Sequence, residues 1–122
     1  MIGYITLGTN DLAKATAFYA ALLGEIGAKQ VMQSERFTFF GVAMDKPMLG
    51  VIMPYDGQHA SSGNGTMTAL AMPDRASVDK VYAKALELGG TCEGKPGVRG
   101  GNFYAGYFRD LDGNKLNAFC MG

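Results

Sequence analysis

The chain has 122 residues, of which 48% are hydrophobic, and its 11 Lys and Arg residues balance 11 Asp and Glu residues. This length accommodates one domain of ordinary size, which we place over residues 1–122. A formal charge of zero provides no electrostatic attraction to nucleic-acid phosphates or anionic lipid. We therefore expect neither a nucleic-acid partner nor a membrane partner.

Two features of the sequence indicate the cellular compartment of the protein: its targeting signals and its cysteines. No apolar run approaches the roughly 18–20 residues that a membrane-spanning helix needs, and residues 1–4 lack the basic and apolar regions of a signal peptide. Cys92 and Cys120 are too few for a disulfide framework and do not form a CxxC pair. We expect a cytoplasmic protein in which both thiols are buried.

The first half of the chain predicts a strand, a helix and three further strands. Residues 5–9 alternate as a strand does, and apolar residues then recur at helical spacing behind a capping Asn10 or Asp11. Gly24 or Gly27 ends this helix. Three strands follow, a short one around 29–33 and two over 37–42 and 48–53, with a turn at 45–47 between the last two.

The second half predicts the same order of elements. Residues 55–65 are rich in Gly, Ser and Asn and form a joining loop. A strand over 67–71 is followed by a helix that starts behind Asp74 and stops at Gly89 and Gly90. A less marked strand near Thr91 precedes two clear ones over 103–108 and 115–120, with a turn at 110–114.

An internal repeat connects the two halves. At an offset of 63 residues, identical residue types coincide in the two helices: Asp11 with Asp74, Tyr19 with Tyr82, Ala20 with Ala83, Leu23 with Leu86, and Gly27 with Gly90. Together with the shared order of elements, this predicts two tandem βαβββ modules. Module 1 covers about 1–56, the joining loop about 55–65 and module 2 about 66–122.

These residues resemble the vicinal oxygen chelate superfamily, also called the glyoxalase/bleomycin resistance/dioxygenase proteins, over essentially the whole chain. The resemblance rests on residues 9–12 with Phe18 and Tyr19, on the second-half echo that ends in Gly89 and Gly90, and on residues 108–116. The last segment is similar to the family's D-P-D-G-N hairpin, with Leu111 at the usual proline position. The resemblance implies an α+β fold, a half-open eight-stranded mixed barrel, and commonly a homodimer.

The resemblance also implies where a metal would bind. Metal-dependent members place His, Glu or Gln at four inward-facing strand positions, which in this chain correspond to Tyr4, a position near Gly50, Met67 and Asn117. A neutral phenol and a thioether are poor ligands for hard or borderline metals, and a divalent site needs about three protein ligands. We therefore expect no metal and no other cofactor.

Without a metal, the implied barrel interior becomes a pocket for a small organic ligand. Depending on which faces point inward, its lining includes Tyr4, Phe39, Met53, Met67, Tyr107 and Asn117. Phe39 and Met67 are better explained as core residues that fill the barrel. Tyr4 and Asn117 are the better ligand contacts, because a buried hydroxyl or amide must find a hydrogen-bond partner.

Two further residues are candidates for chemistry. His59 is the only histidine and hence the only ready proton shuttle near neutral pH, although a loop histidine is usually just solvated. It and Tyr4 are the weak catalytic candidates. Arg99 lies with Lys95 in the glycine-rich segment 93–102, which acts either as a lid whose guanidinium clamps a carboxylate or phosphate or as a solvated connection.

Three functions remain open, since the superfamily includes lyases, isomerases, dioxygenases, transferases and drug-binding proteins. The first is a metal-free protein, similar to bleomycin-resistance proteins, that binds a small amphipathic ligand in the barrel or in a dimer groove. The second is a glyoxalase-like lyase or dioxygenase-related enzyme with a non-standard metal or acid/base residues. The third is a dimeric scaffold without a ligand.

Overall fold

The computed structural model describes all residues, 1–122, which form two compact units, Met1–Ser61 and Ser62–Gly122. The first unit contains β1 (Tyr4–Gly8), α1 (Leu12–Gly24), β2 (Lys29–Gln33), β3 (Phe37–Gly41) and β4 (Met48–Ile52). The second contains β5 (Thr68–Ala71), α2 (Arg75–Glu87), β6 (Thr91–Val98), β7 (Phe103–Arg109) and β8 (Lys115–Met121). The predicted α+β fold with tandem βαβββ modules is confirmed. Neither helix is long and apolar enough to cross a membrane.

Each unit has one four-stranded mixed sheet with the same topology. The strand orders are β1-β4-β3-β2 and β5-β8-β7-β6. The first strand of each unit pairs in parallel with the last, while the remaining neighbours are antiparallel. A parallel pair needs a long crossover connection, and in each unit the helix and the two middle strands provide it.

Aspartate caps the N-terminus of α1. The Asp11 carboxylate accepts a hydrogen bond from the Lys14 backbone N–H at 3.1 Å, which satisfies one of the free donors of the first turn. Of the two predicted caps, Asn10 has a different role, because its Oδ1 accepts a 2.7 Å bond from the backbone N–H of Ala60. Asn10 thus ties the end of the first unit to the start of its helix.

An aspartate also caps the N-terminus of α2. The Asp74 carboxylate accepts a 2.8 Å bond from the Ser77 backbone N–H. Hydrogen bonds from the Ser77 hydroxyl and backbone hold the pKa of Asp74 below its usual value, because they favour the charged form. Both helices therefore begin one residue after an aspartate, as the 63-residue repeat predicts.

Each helix covers one face of its own sheet. In the first unit, Phe18, Tyr19 and Leu22 are buried with Phe40 and Val51. In the second unit, α2 buries Val78, Val81, Tyr82 and Ala85, and the strands contribute Phe108, Leu116 and Ala118. Since side chains alternate along a strand, the intervening strand residues lie on the sheet face away from the helix.

The segment predicted as a lid or a solvated connection is largely a strand. β6 extends over Thr91–Val98, well beyond the short strand predicted near Thr91. Its pairing with β7 shifts register on both sides of Gly94, and Pro96 has no N–H to donate to the ladder. Gly and Pro are depleted in regular strands. Local propensity therefore predicts a shorter strand than the one that forms by pairing with β7.

One of the two cysteine predictions is wrong. Cys120 is buried, as expected, but Cys92 is exposed near the start of β6. Cys92 is hydrogen-bonded to the Tyr82 hydroxyl of α2, and this bond, the burial of the phenol and the negative charge of the thiolate together raise the pKa of Tyr82 to about 12. The strand that carries Cys92 is at the edge of its sheet, where side chains are less covered.

Candidate functional site

The second sheet presents its polar groups on the face away from α2. A Cβ added to Gly106 would lie 3.3 Å from the Tyr82 ring of α2, so Gly106 and its cross-strand partner Ala118 face that helix. The alternate residues point to the other side of the sheet. We call this side the far face and define it by six residues of β7 and β8: Phe103, Tyr107, Arg109, Lys115, Asn117 and Phe119.

Asn117 lies near the centre of the far face. Its side chain is 1% exposed, and its Oδ1 is buried without a hydrogen-bond partner. It sits directly between Tyr107 of β7 and Ala69 of β5, neither of which hydrogen-bonds the amide. A buried amide oxygen without a partner carries a penalty of about 1–3 kcal/mol, so Asn117 is an acceptor that still lacks a donor.

Two cations lie beside the Tyr107 ring. The Arg99 guanidinium carbon is 5.3 Å from the ring centroid, and the Lys115 Nζ is 5.5 Å from it. These distances are within the range of cation–π attraction. Arg99 also donates a 2.6 Å bond from Nη2 to the Lys95 carbonyl oxygen, which fixes the guanidinium against β6.

A third cation, Arg109, lies directly across from Lys115. The two residues are cross-strand partners in the β7–β8 ladder, and like charges in that arrangement are destabilising. Arg109 donates to the Gly113 carbonyl at 2.8 Å and forms an ion pair with Glu93 at 3.3 Å. Lys115 and Arg99 have no acidic partner, so the charged end of the far face is positive.

A cavity of about 530 Å³ opens at this charged end. Residues 62–67 line one part of it, and Arg109 and Lys115 line the rest. Met67, one of the predicted contact residues, borders the cavity and is 41% exposed. The volume is within the range of pockets for small organic molecules.

The opposite end of the far face is aromatic. Phe103 and Phe119 stack with ring centroids 5.5 Å apart and an interplanar angle of 25°. Along β8, Lys115, Asn117 and Phe119 therefore present a charge, an amide and an aromatic ring in succession. The four residue steps from Lys115 to Phe119 span about 13 Å, which is the length of a small amphipathic molecule.

The first unit contributes an aromatic cluster on its own sheet. Tyr4 is 65% exposed, and its ring meets Phe39 edge to face at a centroid distance of 5.2 Å. Phe37 contacts Phe39 in the same manner at 5.3 Å. The reason for selecting Tyr4, a buried hydroxyl in need of a partner, therefore does not apply to it, whereas the same reason applies to Asn117.

The residues at the implied metal positions do not fit a divalent ion. A Cβ added to Gly50 would lie 2.6 Å from the Phe39 ring, so that ring fills the space in which a side chain at this position would stand. Tyr4 and Met67 offer a phenol and a thioether, and only Asn117 offers an amide oxygen. No three His, Cys, Asp or Glu side chains come together in a group that could hold a metal.

The remaining predicted residues, His59 and Met53, belong to the first unit. His59 is exposed in the segment between β4 and β5, where no helix or strand is formed. Met53 is 42% exposed directly after β4. No hydrogen bond or ion pair connects the His59 side chain to another titratable group.

Sequence analysis missed Lys115 and the roles of Arg109 and Glu93. Lys115 is two residues before Asn117, so strand alternation alone places the two side chains on one face. The position of Arg109 opposite Lys115 depends on the ladder register, which the β7–β8 hairpin sets. The ion pair of Glu93 with Arg109 was not predicted, because the strand that carries Glu93 is longer than the sequence indicates.

Comparison with known proteins agrees with this fold. The family model described as the Glyoxalase/Bleomycin resistance protein/Dioxygenase superfamily matches residues 1–118. The chain belongs to this superfamily. No curated protein matches it.

Solved structures of the superfamily have the same fold as this chain. It is similar to a glyoxalase/bleomycin resistance protein from Albidiferax ferrireducens, with 33% identity, a TM-score of 0.91, and coverage of 100% of this chain and 99% of that chain. A glyoxalase/bleomycin resistance protein/dioxygenase family enzyme from Burkholderia phytofirmans has 18% identity, a TM-score of 0.81 and 98% coverage of both chains. Lactoylglutathione lyase from Agrobacterium tumefaciens has 22% identity, a TM-score of 0.76, and coverage of 98% and 92%. The last two comparisons show the shared fold alone.

Proposed function

We propose that this superfamily member binds a small amphipathic organic ligand on the far face without a metal. The observation that carries the proposal is the buried Asn117 Oδ1, which has no hydrogen-bond partner. A ligand N–H or O–H group that reaches this oxygen gains a hydrogen bond that no group of the protein makes. The name of the relative at 33% identity, a glyoxalase/bleomycin resistance protein, is in keeping with a small-molecule site.

The surroundings of Asn117 favour an organic molecule over a simple ion. Tyr107 and Ala69 flank it on the neighbouring strands, and Phe119 follows it on the same face. Small-molecule sites generally combine an apolar lining with a few polar anchors that fix the orientation. The ligand that fits this pattern has an aromatic or aliphatic body and a hydrogen-bond donor near its middle.

Titration of the ¹⁵N-labelled protein with neutral amphipathic compounds tests the proposal. The set consists of the methyl ester of N-benzoylglycine, other aromatic amides and phenols. We expect at least one of them to bind saturably and to shift the Asn117 resonances. Asn117→Ala should weaken that binding about fivefold, the value of one hydrogen bond.

Asn102→Ala is the matched control, because Asn102 is exposed between β6 and β7 and its side chain makes no hydrogen bond. It should bind the same compounds as the parent protein. The proposal is overturned if no member of the set binds saturably, or if Asn117→Ala and Asn102→Ala bind every member equally well.

The proposal includes two properties of the whole protein. It is a homodimer, as superfamily members commonly are, and it acts in the cytoplasm, where the two free thiols would stay reduced. Sedimentation equilibrium should give twice the chain mass of 12.9 kDa. A monomer at all concentrations would contradict the homodimer and leave the ligand site of a single chain unaffected.

A further inference from the structure

The positive charges on the far face outnumber the acidic side chains that pair with them. Arg109 and Lys115 oppose each other across the ladder, and Glu93 neutralises only Arg109. Arg99 adds a further cation beside Tyr107. Arg99 and Lys115 each lie within cation–π range of the Tyr107 ring, and neither has an acidic partner.

Arg99 is held in place by the irregular strand β6. A Cβ added to Gly94 would lie 3.2 Å from its Nη2, and one added to Gly97 would lie 3.0 Å from its Nη1. Both glycines thus leave room for the guanidinium to fold back over the strand. Nη2 of Arg99 donates one hydrogen bond to the Lys95 carbonyl oxygen, and the other guanidinium N–H groups remain available as donors.

We propose that the ligand carries an oxyanion, a carboxylate or a phosphate group, which binds at the positive end of the far face, beside Lys115 and Tyr107 and within the field of Arg99. This inference rests on the proposed function and adds the ligand's charge to it. The oxyanion offsets the two cations that have no acidic partner, and guanidinium and ammonium groups are suited to carboxylate and phosphate oxygens. The ligand's donor then meets Asn117, and its apolar end lies toward Phe119 and Phe103.

N-benzoylglycine is a suitable probe, because it has a carboxylate, an amide N–H and a phenyl ring in that order. Its methyl ester has the same shape without the charge. We expect the acid to bind at least tenfold more tightly than the ester at low ionic strength, and the difference to shrink as salt is added. Acetate and inorganic phosphate as competitors distinguish the two oxyanions, since the matching one displaces the probe at lower concentration.

Lys115→Met removes the charge and keeps a side chain of similar length. It should weaken binding of the acid about tenfold and leave binding of the ester unchanged. Arg99→Met should also weaken binding of the acid. Lys80→Met is the matched control, since Lys80 is exposed on α2 and forms no ion pair. Because Arg99 contacts β6, the Lys115 variant keeps the test valid if the Arg99 variant folds poorly.

The outcomes separate this inference from the proposed function. If the acid and the ester bind equally well, and Lys115→Met changes neither affinity, the oxyanion proposal is overturned. The proposed Asn117 site is unaffected by that result. Binding of the acid that depends on Lys115 but not on Asn117 supports the oxyanion and overturns the Asn117 anchor. Failure of the acid to bind saturably, or binding that Lys80→Met weakens as much as Lys115→Met, also overturns the oxyanion.

Discussion

At the scale of single residues, the absence of a side chain at Gly50 shapes the aromatic cluster of the first unit. The Phe39 ring lies over Gly50, close enough that a Cβ would be 2.6 Å from it. Strand interiors disfavour glycine unless another group approaches closely. The position of the Phe39 ring thus requires a residue without a side chain at position 50.

Gly50→Ala should therefore destabilise the fold. The ring must move or the strand must shift, and overpacking of this kind costs about 1–3 kcal/mol. Urea unfolding measures the loss. Gly3→Ala is the control, because no atom lies within 4 Å of the added Cβ, and it should stay within about 0.5 kcal/mol of the parent; equal losses in both variants would contradict the steric explanation.

Tyr82 makes the stability depend on alkaline pH. Its pKa rises from 10.0 to about 12 because of the hydrogen bond to Cys92, burial and the charge of the thiolate. A folded-state pKa above the unfolded value means that the stabilisation is fully present below pH 10 and is lost as the pH rises through 12. A hydrogen bond to Asp79 also raises the pKa of Tyr104, so part of the loss has a second source.

We expect the free energy of unfolding to fall between pH 10 and pH 12, and to fall less steeply in Tyr82→Phe. Unfolding in urea at a series of pH values gives both slopes. Tyr55→Phe is the control, since Tyr55 is 92% exposed and its hydroxyl makes no hydrogen bond. A slope that Tyr82→Phe leaves unchanged would contradict the assignment to this residue.

At the scale of elements, the two units share their order of helices and strands but differ in the turn before the last strand. The Asp110 carboxylate accepts three hydrogen bonds of 2.9 Å, from the backbone of Asp112 and of Asn114 and from the Asn114 side chain. Gly113 occupies the left-handed region, with a φ of 89°, which glycine adopts readily. In the first unit, Asp45 is exposed and its side chain makes no hydrogen bond.

Asp110→Ala should destabilise the protein by about 2–3 kcal/mol, because it removes a buried acceptor with several donors. Thermal or urea unfolding provides the measurement. Asp45→Ala, the corresponding change in the first unit, should have an effect below about 0.5 kcal/mol. If the two variants lose the same stability, the hydrogen bonds of Asp110 do not hold the turn.

Most elements could be predicted from local pattern, and β6 shows where that fails. Helix starts were predictable because Asp11 and Asp74 cap them through local bonds. β6 was largely missed because Gly94, Pro96 and Gly97 oppose a strand locally, and only pairing with β7 overrides them. Arg99, which follows β6, was selected from the sequence, but its contact with Tyr107 depends on that pairing.

At the scale of the whole molecule, the neutral composition conceals a local charge. The formal net charge is zero, yet Arg99, Arg109 and Lys115 gather on one sheet face with a single ion-paired acid, Glu93. Net charge governs long-range attraction, whereas a ligand in a pocket responds to nearby groups. The composition thus argues against nucleic acid and still allows a small anion.

The whole protein should be independent of divalent metal, because the residues at the implied ligand positions are poor donors. We expect EDTA to leave the melting temperature and the affinity for N-benzoylglycine unchanged. Elemental analysis after exposure to zinc, nickel, manganese and iron(II) is the direct measurement. Stoichiometric metal would contradict the expectation and would point to ligands other than Tyr4, Met67 and Asn117.

The sequence by itself determined the tandem βαβββ architecture and both helix starts, because capping, periodicity and repeat spacing are local properties. Only the tertiary structure decided that the oxygen of Asn117 lacks a partner, that Arg99 and Lys115 share one tyrosine ring, and that Cys92 is exposed. The physical reason is that these properties depend on strand register and on the neighbours across the sheet. Residues far apart in the chain supply those neighbours, and local pattern does not contain them.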